Sequence, residues 1–264
     1  MKGEPNELPP ISAALWRGFC WYGKRYVRRH FHAIRLSRAS PAPKLAADEP
    51  AIIYLNHPSW WDPMTCLVLA DAQFPGRRHY APIDAQMLER YGIFKRLGFF
   101  GVEPGTARGA CTFLRVGRAV CNRRGAMLWV TAQGRFTDVR TRPVTLRPGL
   151  AHLLRRASGA AVIPLAIEYA FWEERSPEIL LRFGPVIRSS AGMRASDLNT
   201  LLESQLTAAQ DALAEESQSR DPARFHSILS GEAGVGGVYD RWRSLKARLA
   251  GRTFVSEHGT GGAS

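Results

Sequence analysis

The chain has 264 residues, 45% of them hydrophobic, which suffices for one sizeable core and is too apolar for a disordered protein. Its 36 Lys and Arg outweigh 23 Asp and Glu, a net charge of +13 that attracts nucleic acid, anionic lipid or phosphate-bearing substrates. Cys20, Cys66, Cys111 and Cys121 lie far apart, with no C-x-x-C pair and no histidine at zinc-finger spacing, and no apolar run reaches the about 20 residues of a bilayer-spanning helix.

In chain order, "MKGEPNELPPIS" carries two Glu and three Pro and does not read as a signal peptide, so the expected location is peripheral, on the cytoplasmic side of a membrane. Ser12 to Arg38 holds seven Lys or Arg and no acid. At helical spacing Leu15, Phe19, Tyr22 and Tyr26 form one stripe, and Arg17, Lys24, Arg28 and Arg35 project opposite. Residues 1–39 are therefore expected to form a basic amphipathic segment on an anionic membrane surface; the alternative is a helix packed on its own domain with a solvated basic face. The Pro-rich stretch 40–50 reads as a linker.

From residue 51 short β-rich runs alternate with helical patterns. Strands are predicted at 51–55, 79–83, 99–102, 126–132, 161–169 and 178–187, and helices at 63–72, 85–95, 107–124, 149–158 and 195–217. This alternation predicts an α/β fold with a largely parallel central sheet flanked by helices, preceded by the amphipathic N-terminal helix. The main domain is assigned to 51–222. Residues 223–264 read as a C-terminal extension with a short basic helix and a disordered tail.

The informative stretch is "AIIYLNHPSWWDP", residues 51–63. His57 and Asp62 lie five residues apart, which on a straight helix would separate them by about 140°. Pro58 and Pro63 oppose such a helix. A turn between strand and helix would instead fold the carboxylate back onto Nδ1 of the imidazole and leave Nε2 as a base, the orienting half of a Ser-His-Asp arrangement. Free imidazole titrates at about 6.5 and is competent in this role at neutral pH. On spacing alone, a strand-end histidine beside a helix-capping aspartate fits equally.

"NHPSWWD" is similar to the N-H-x-x-x-x-D signature of the glycerolipid acyltransferases, the family that includes lysophosphatidic acid acyltransferase and glycerol-3-phosphate acyltransferase. Further blocks follow in the family's order over roughly residues 50 to 190: "GFFGVEPG" (98–105), "VTAQGRFTD" (130–138), which resembles a block usually Pro-Glu-Gly-Thr-Arg, and "AVIPLAI" (161–167). The resemblance implies direct transfer of a fatty acyl group from a coenzyme A or acyl carrier protein thioester to a lipid hydroxyl. It makes His57 the general base and Asp62 its orienting carboxylate. It implies no permanently bound cofactor, and no metal motif appears: "HFH" at 30–32 has no nearby carboxylate. Substrate-binding roles are expected for Asn56, Ser59, Trp60, Trp61, Glu103, Gln133, Gly134 and Arg135, with the two tryptophans as walls of an acyl tunnel or anchors at the lipid interface.

The chain also departs from the family pattern. Glu103 stands where the second block has a phosphate-holding arginine, Gln133 replaces the third block's glutamate, and Arg135 follows Gly134 directly rather than one residue later. These departures point to an acceptor other than a glycerol phosphate, with 1-acylglycerol-3-phosphate acylation as the alternative. The loop 135–149 offers Arg135, Arg140, Arg142 and Arg147 to anionic groups. Nucleic-acid binding lacks any recognition motif, and a serine hydrolase lacks its G-x-S-x-G elbow. A catalytically inactive, lipid-binding scaffold is the remaining rival.

Overall fold

The computed structural model describes residues 8–157, 159–188 and 192–231. The expected basic helix and tail beyond residue 231 lie outside the described residues. Helices are α1 (Ala13–His30), α2 (Asp62–Gln73), α3 (Ala85–Arg90), α4 (Ala107–Cys121), α5 (Gly149–Leu154) and α6 (Ala195–Gln218). Strands are β1 (Ala33–Ser37), β2 (Ala51–Leu55), β3 (Arg78–Asp84), β4 (Phe99–Val102), β5 (Ala126–Thr131), β6 (Ala161–Ala170), β7 (Glu178–Phe183) and β8 (Phe225–Ser230). They form one eight-stranded sheet in the order β4-β3-β5-β2-β6-β7-β1-β8. The five strands β4, β3, β5, β2 and β6 pair in parallel; β7 runs against β6, β1 runs with β7, and β8 runs against β1.

β2 is the axis of this arrangement. All five of its residues are buried because both faces of the sheet are covered. Ile52 and Tyr54 face the core beneath α4, α5 and α6, whereas Ile53 and Leu55 face the core beneath α1 and α2. Tyr54, the bulkiest of them, satisfies its hydroxyl on the Leu202 carbonyl of α6 at 3.1 Å. The loops leaving β5 and β6 therefore flank the loop leaving β2, and the carboxyl end of the parallel strands becomes a crevice.

Three sequence expectations change. The helix expected over 12–38 ends at His30, and 33–37 forms β1 between β7 and β8. Its determinant is distant: buried Glu178, at the start of β7, accepts two hydrogen bonds from Arg35 at 3.0 and 3.3 Å and binds His32 at 2.6 Å. Likewise β8, in the expected C-terminal extension, buries Phe225 and Leu229 and pairs with β1. The segments before residue 51 and after 222 thus complete the sheet and are not appendages to it.

The side of α1 that packs on the domain lies beside the stripe of Leu15, Phe19, Tyr22 and Tyr26. Cys20, Gly23 and Val27 are the buried residues, and Tyr22 is exposed. Gly23 decides this: a Cβ there would lie 2.8 Å from Leu67 Cδ2, so α2 comes close only where α1 has no side chain.

Trp16 stacks on His79 of β3 at 5.2 Å, and Trp129 Nε1 donates to His79 Nδ1 at 3.1 Å. Burial pushes His79 down to about 4. The unfolded chain binds this proton below the ordinary imidazole value of about 6.5 and the native chain does not until about 4, so stability falls as pH drops through that window. The loss is roughly 3 kcal/mol. A His79→Gln variant, which keeps an acceptor for Trp129, is expected to flatten this part of the stability profile, read by urea denaturation at pH 7, 5.5 and 4.

Candidate active site

The loop between β2 and α2 is pinned residue by residue. Buried Asn56 imitates one more step of the β2–β6 ladder: its Nδ2 donates to the Ile167 carbonyl and its Oδ1 accepts from Ile167 N, both at 2.9 Å. The peptide of His57 is held by the neighbouring loop, its N–H donating to Gln133 Oε1 at 2.9 Å and its carbonyl accepting from Thr137 N at 2.9 Å. Pro58 then opens a turn in which Asp62 N donates to the Ser59 carbonyl at 3.2 Å and Trp61 N donates to Ser59 Oγ at 3.3 Å. This turn swings Asp62, the first residue of α2, back toward the imidazole.

Asp62 Oδ2 lies 2.6 Å from His57 Nδ1. The carboxylate has no solvent exposure and the histidine side chain has 18%. Asp62 caps no helix amide; Oδ2 also accepts from Ser59 N at 3.3 Å, and Oδ1 accepts from the Tyr169 hydroxyl at 2.7 Å. Because the Tyr169 proton goes to Asp62, the Thr65 hydroxyl at 3.1 Å serves as donor to Tyr169. Burial and the Asp62 carboxylate hold the Tyr169 hydroxyl far above the usual phenol range and push the nearby Cys66 thiol well up. Neither group is an activated nucleophile. The Nδ1 contact fixes the proton there and turns Nε2 away from the carboxylate, with the Phe136 ring 4.4 Å from the imidazole. A base at Nε2 with a carboxylate behind it serves proton transfer from a hydroxyl.

The expected binding residues divide. Asn56 is corrected: its amide is consumed by β6 and it positions backbone. Buried Gln133 likewise spends its carbonyl oxygen on His57 N. Ser59 belongs to the turn. Trp61 packs edge-on against Phe31 at 4.8 Å and stacks with exposed Trp60 at 4.4 Å. Glu103, just past edge strand β4, sits three strand spacings from β2, about 14 Å, and faces Arg108 at 3.5 Å. Gly134 takes φ +63° and lies under the side chain of exposed Arg147, into which any Cβ would collide. Neither Arg147 nor exposed Arg135 has a carboxylate partner among the described residues. No group of three or more His, Cys, Asp or Glu side chains suited to a metal occurs among them.

Sequence reasoning missed Tyr169, Thr65 and Phe136. Two signals pointed to the first pair. Thr65 lies three residues after Asp62, on the same face of α2, and Tyr169 lies two residues beyond Ile167, on the same face of β6.

The sequence matches the family described as Acyltransferase over residues 22–168, more than half of the chain. The chain belongs to the acyltransferase family. It is an enzyme of that class, consistent with the glycerolipid acyltransferase blocks read from the sequence. Among solved structures it is similar to the 1-acyl-sn-glycerophosphate (LPA) acyltransferase PlsC from Thermotoga maritima, with a TM-score of 0.52 and 14% identity over 76% of this chain and 79% of that one. At that identity the likeness is one of fold. No curated protein sequence matches this acyltransferase.

The Tyr169→Phe acyltransferase should lose one charge-assisted hydrogen bond to Asp62. The expected effect is a fall in kcat of about 10-fold with KM unchanged, measured by steady-state acyl transfer.

Proposed function

We propose that this acyltransferase moves a fatty acyl group from a thioester, of coenzyme A or of an acyl carrier protein, to a hydroxyl of a lipid acceptor. The observation that carries this reading is the 2.6 Å contact of His57 Nδ1 with a fully buried carboxylate. Nε2 takes the acceptor's hydroxyl proton as its oxygen attacks the thioester carbonyl. The resulting tetrahedral intermediate expels the sulfur, the C–S bond breaks, and the imidazolium returns the proton to the leaving thiolate. Ester and free thiol are the products, and Asp62 steadies the imidazolium throughout. Direct transfer is favoured over an acyl-enzyme because Ser59 Oγ is engaged by Trp61 N and the Cys66 thiol is suppressed.

The preferred acceptor presents a neutral hydroxyl group. Glu103 puts a carboxylate where the family has a cation, and Phe136 fills the place one residue after Arg135. A second reading, a lysophosphatidic acid acceptor, draws on one observation: exposed Arg147 lies across Gly134 with no carboxylate partner among the described residues, beside the residue that holds His57 N. Arg108 also offsets part of the Glu103 charge.

His57→Ala is expected to lower thioester-dependent acylation by about 10³-fold in protein that still unfolds cooperatively, at a lower melting temperature because buried Asp62 loses a donor; unchanged turnover would retire the reading. Arg147→Ala separates the acceptors. It should raise KM for lysophosphatidic acid about 10-fold if the phosphate binds there, and leave a neutral acceptor unaffected.

A further inference from the structure

The ring of Phe136 lies 4.4 Å from the His57 imidazole with the two planes inclined by 37°, yet the residue is 61% exposed, so most of the ring is open to an incoming molecule. A phenyl ring so exposed adds little to a core. Its position is nonetheless fixed. Gly134, at φ +63°, turns the chain as it leaves β5, Gln133 Oε1 accepts from His57 N, and Thr137 N donates to the His57 carbonyl, both at 2.9 Å. These two bonds clamp the loop to the backbone of His57 on either side of Phe136. The contacts that hold the base therefore also deliver the ring to it.

Gln133 supplies a polar group to the same place. The His57 N–H requires an oxygen, which assigns the carbonyl end of the Gln133 amide and leaves its Nε2 as a neutral donor. That nitrogen has no hydrogen-bond partner among the described residues. Asp138, two residues past the ring, is held by Arg140 at 2.8 Å. The loop after β5 thus puts an aromatic ring and a side-chain amide beside His57, neither of them charged.

This pairing discriminates between acceptors. The face of an aromatic ring carries negative charge density. A phosphate ester close to the reacting hydroxyl would be pressed toward that face, losing water without gaining a donor there. A sugar is the opposite case: its C–H bonds pack on the face of the ring, while the hydroxyls flanking the reacting one bond to groups such as a side-chain amide.

We propose that Phe136 is a specificity-determining residue, an aromatic platform that seats the sugar ring of a glycolipid acceptor so that one of its hydroxyls meets His57 Nε2 and a neighbouring hydroxyl accepts from Gln133 Nε2. The reacting sugar hydroxyl gives its proton to His57, its oxygen forms the ester as the C–S bond breaks, and the thiol leaves with the returned proton. This rests on the lipid-acceptor reading and narrows the acceptor to a carbohydrate hydroxyl. It opposes the phosphorylated acceptor that Arg147 would serve.

The full chain is assayed with decanoyl-coenzyme A and two soluble acceptors, hexyl glucoside and 1-hexanoyl lysophosphatidic acid, with kcat/KM measured for each. Wild-type protein is expected to favour the glucoside about 10-fold. Phe136→Leu, which keeps an apolar side chain in the loop, is expected to lower the ratio of glucoside to phosphorylated acceptor about 10-fold, and Phe136→Arg to reverse the preference. A wild-type preference for the phosphorylated acceptor overturns the proposal. So does a Phe136→Leu variant that loses both acceptors equally, because a ring that only props His57 would act in that way. If wild type acylates neither acceptor, titration with hexyl glucoside followed by NMR separates binding from reaction. Binding weakened about 10-fold by Phe136→Leu would retain the platform and remove the reaction proposed above; binding that is absent, or equal in the two proteins, overturns the platform.

Discussion

A carboxylate with no access to water must find its hydrogen bonds within the protein, and the geometry of the site follows from how Asp62 meets that demand. Its two oxygens take three donors, His57 Nδ1, Ser59 N and the Tyr169 hydroxyl, from the turn and from a neighbouring strand. Each donor narrows the freedom of the carboxylate, so the imidazole faces a fixed acceptor. The contact aligns His57 because everything around Asp62 is already held.

That holding is distributed over the sheet. β5 supplies Gln133 to the peptide of His57, β6 supplies Ile167 to Asn56 and Tyr169 to Asp62, and β2 lies between them. Parallel strands in this order bring together at one crevice residues that span more than a hundred positions of the chain, from Asn56 to Tyr169. The same order explains why edge strand β4 keeps Glu103 at a distance. A residue past β4 reaches an acceptor's far end more readily than the proton being transferred.

The central strands and the pairing of His57 with Asp62 were legible because both depend on local pattern. Unbroken apolar runs announce strands covered on two faces, and two prolines forbid the helix that would have parted the pair. What escaped was set by distant partners. Ala33–Ser37 contains Arg35 and follows a run of arginines, and its strand character is fixed by Glu178. Asn56 and Gln133 were read as groups facing a ligand because they stand in the blocks that resemble the family's motifs. Their amides instead serve backbone atoms far along the chain. The packed side of α1 was not legible because a glycine contributes no hydrophobicity to a helical pattern, while Gly23 is the point of closest approach.

β1 is among the first elements in the chain and lies next to the sheet's edge, between β7 and β8. During synthesis it has no neighbour to pair with until residue 178 has emerged, and its other side stays open until residue 225. Such long-range closure is a late event in assembly. The arginine-rich, ring-bearing helix just ahead of β1 is therefore tethered to an unfinished edge for most of translation. Its Cys20, Gly23 and Val27 side can meet α2 well before that edge is closed.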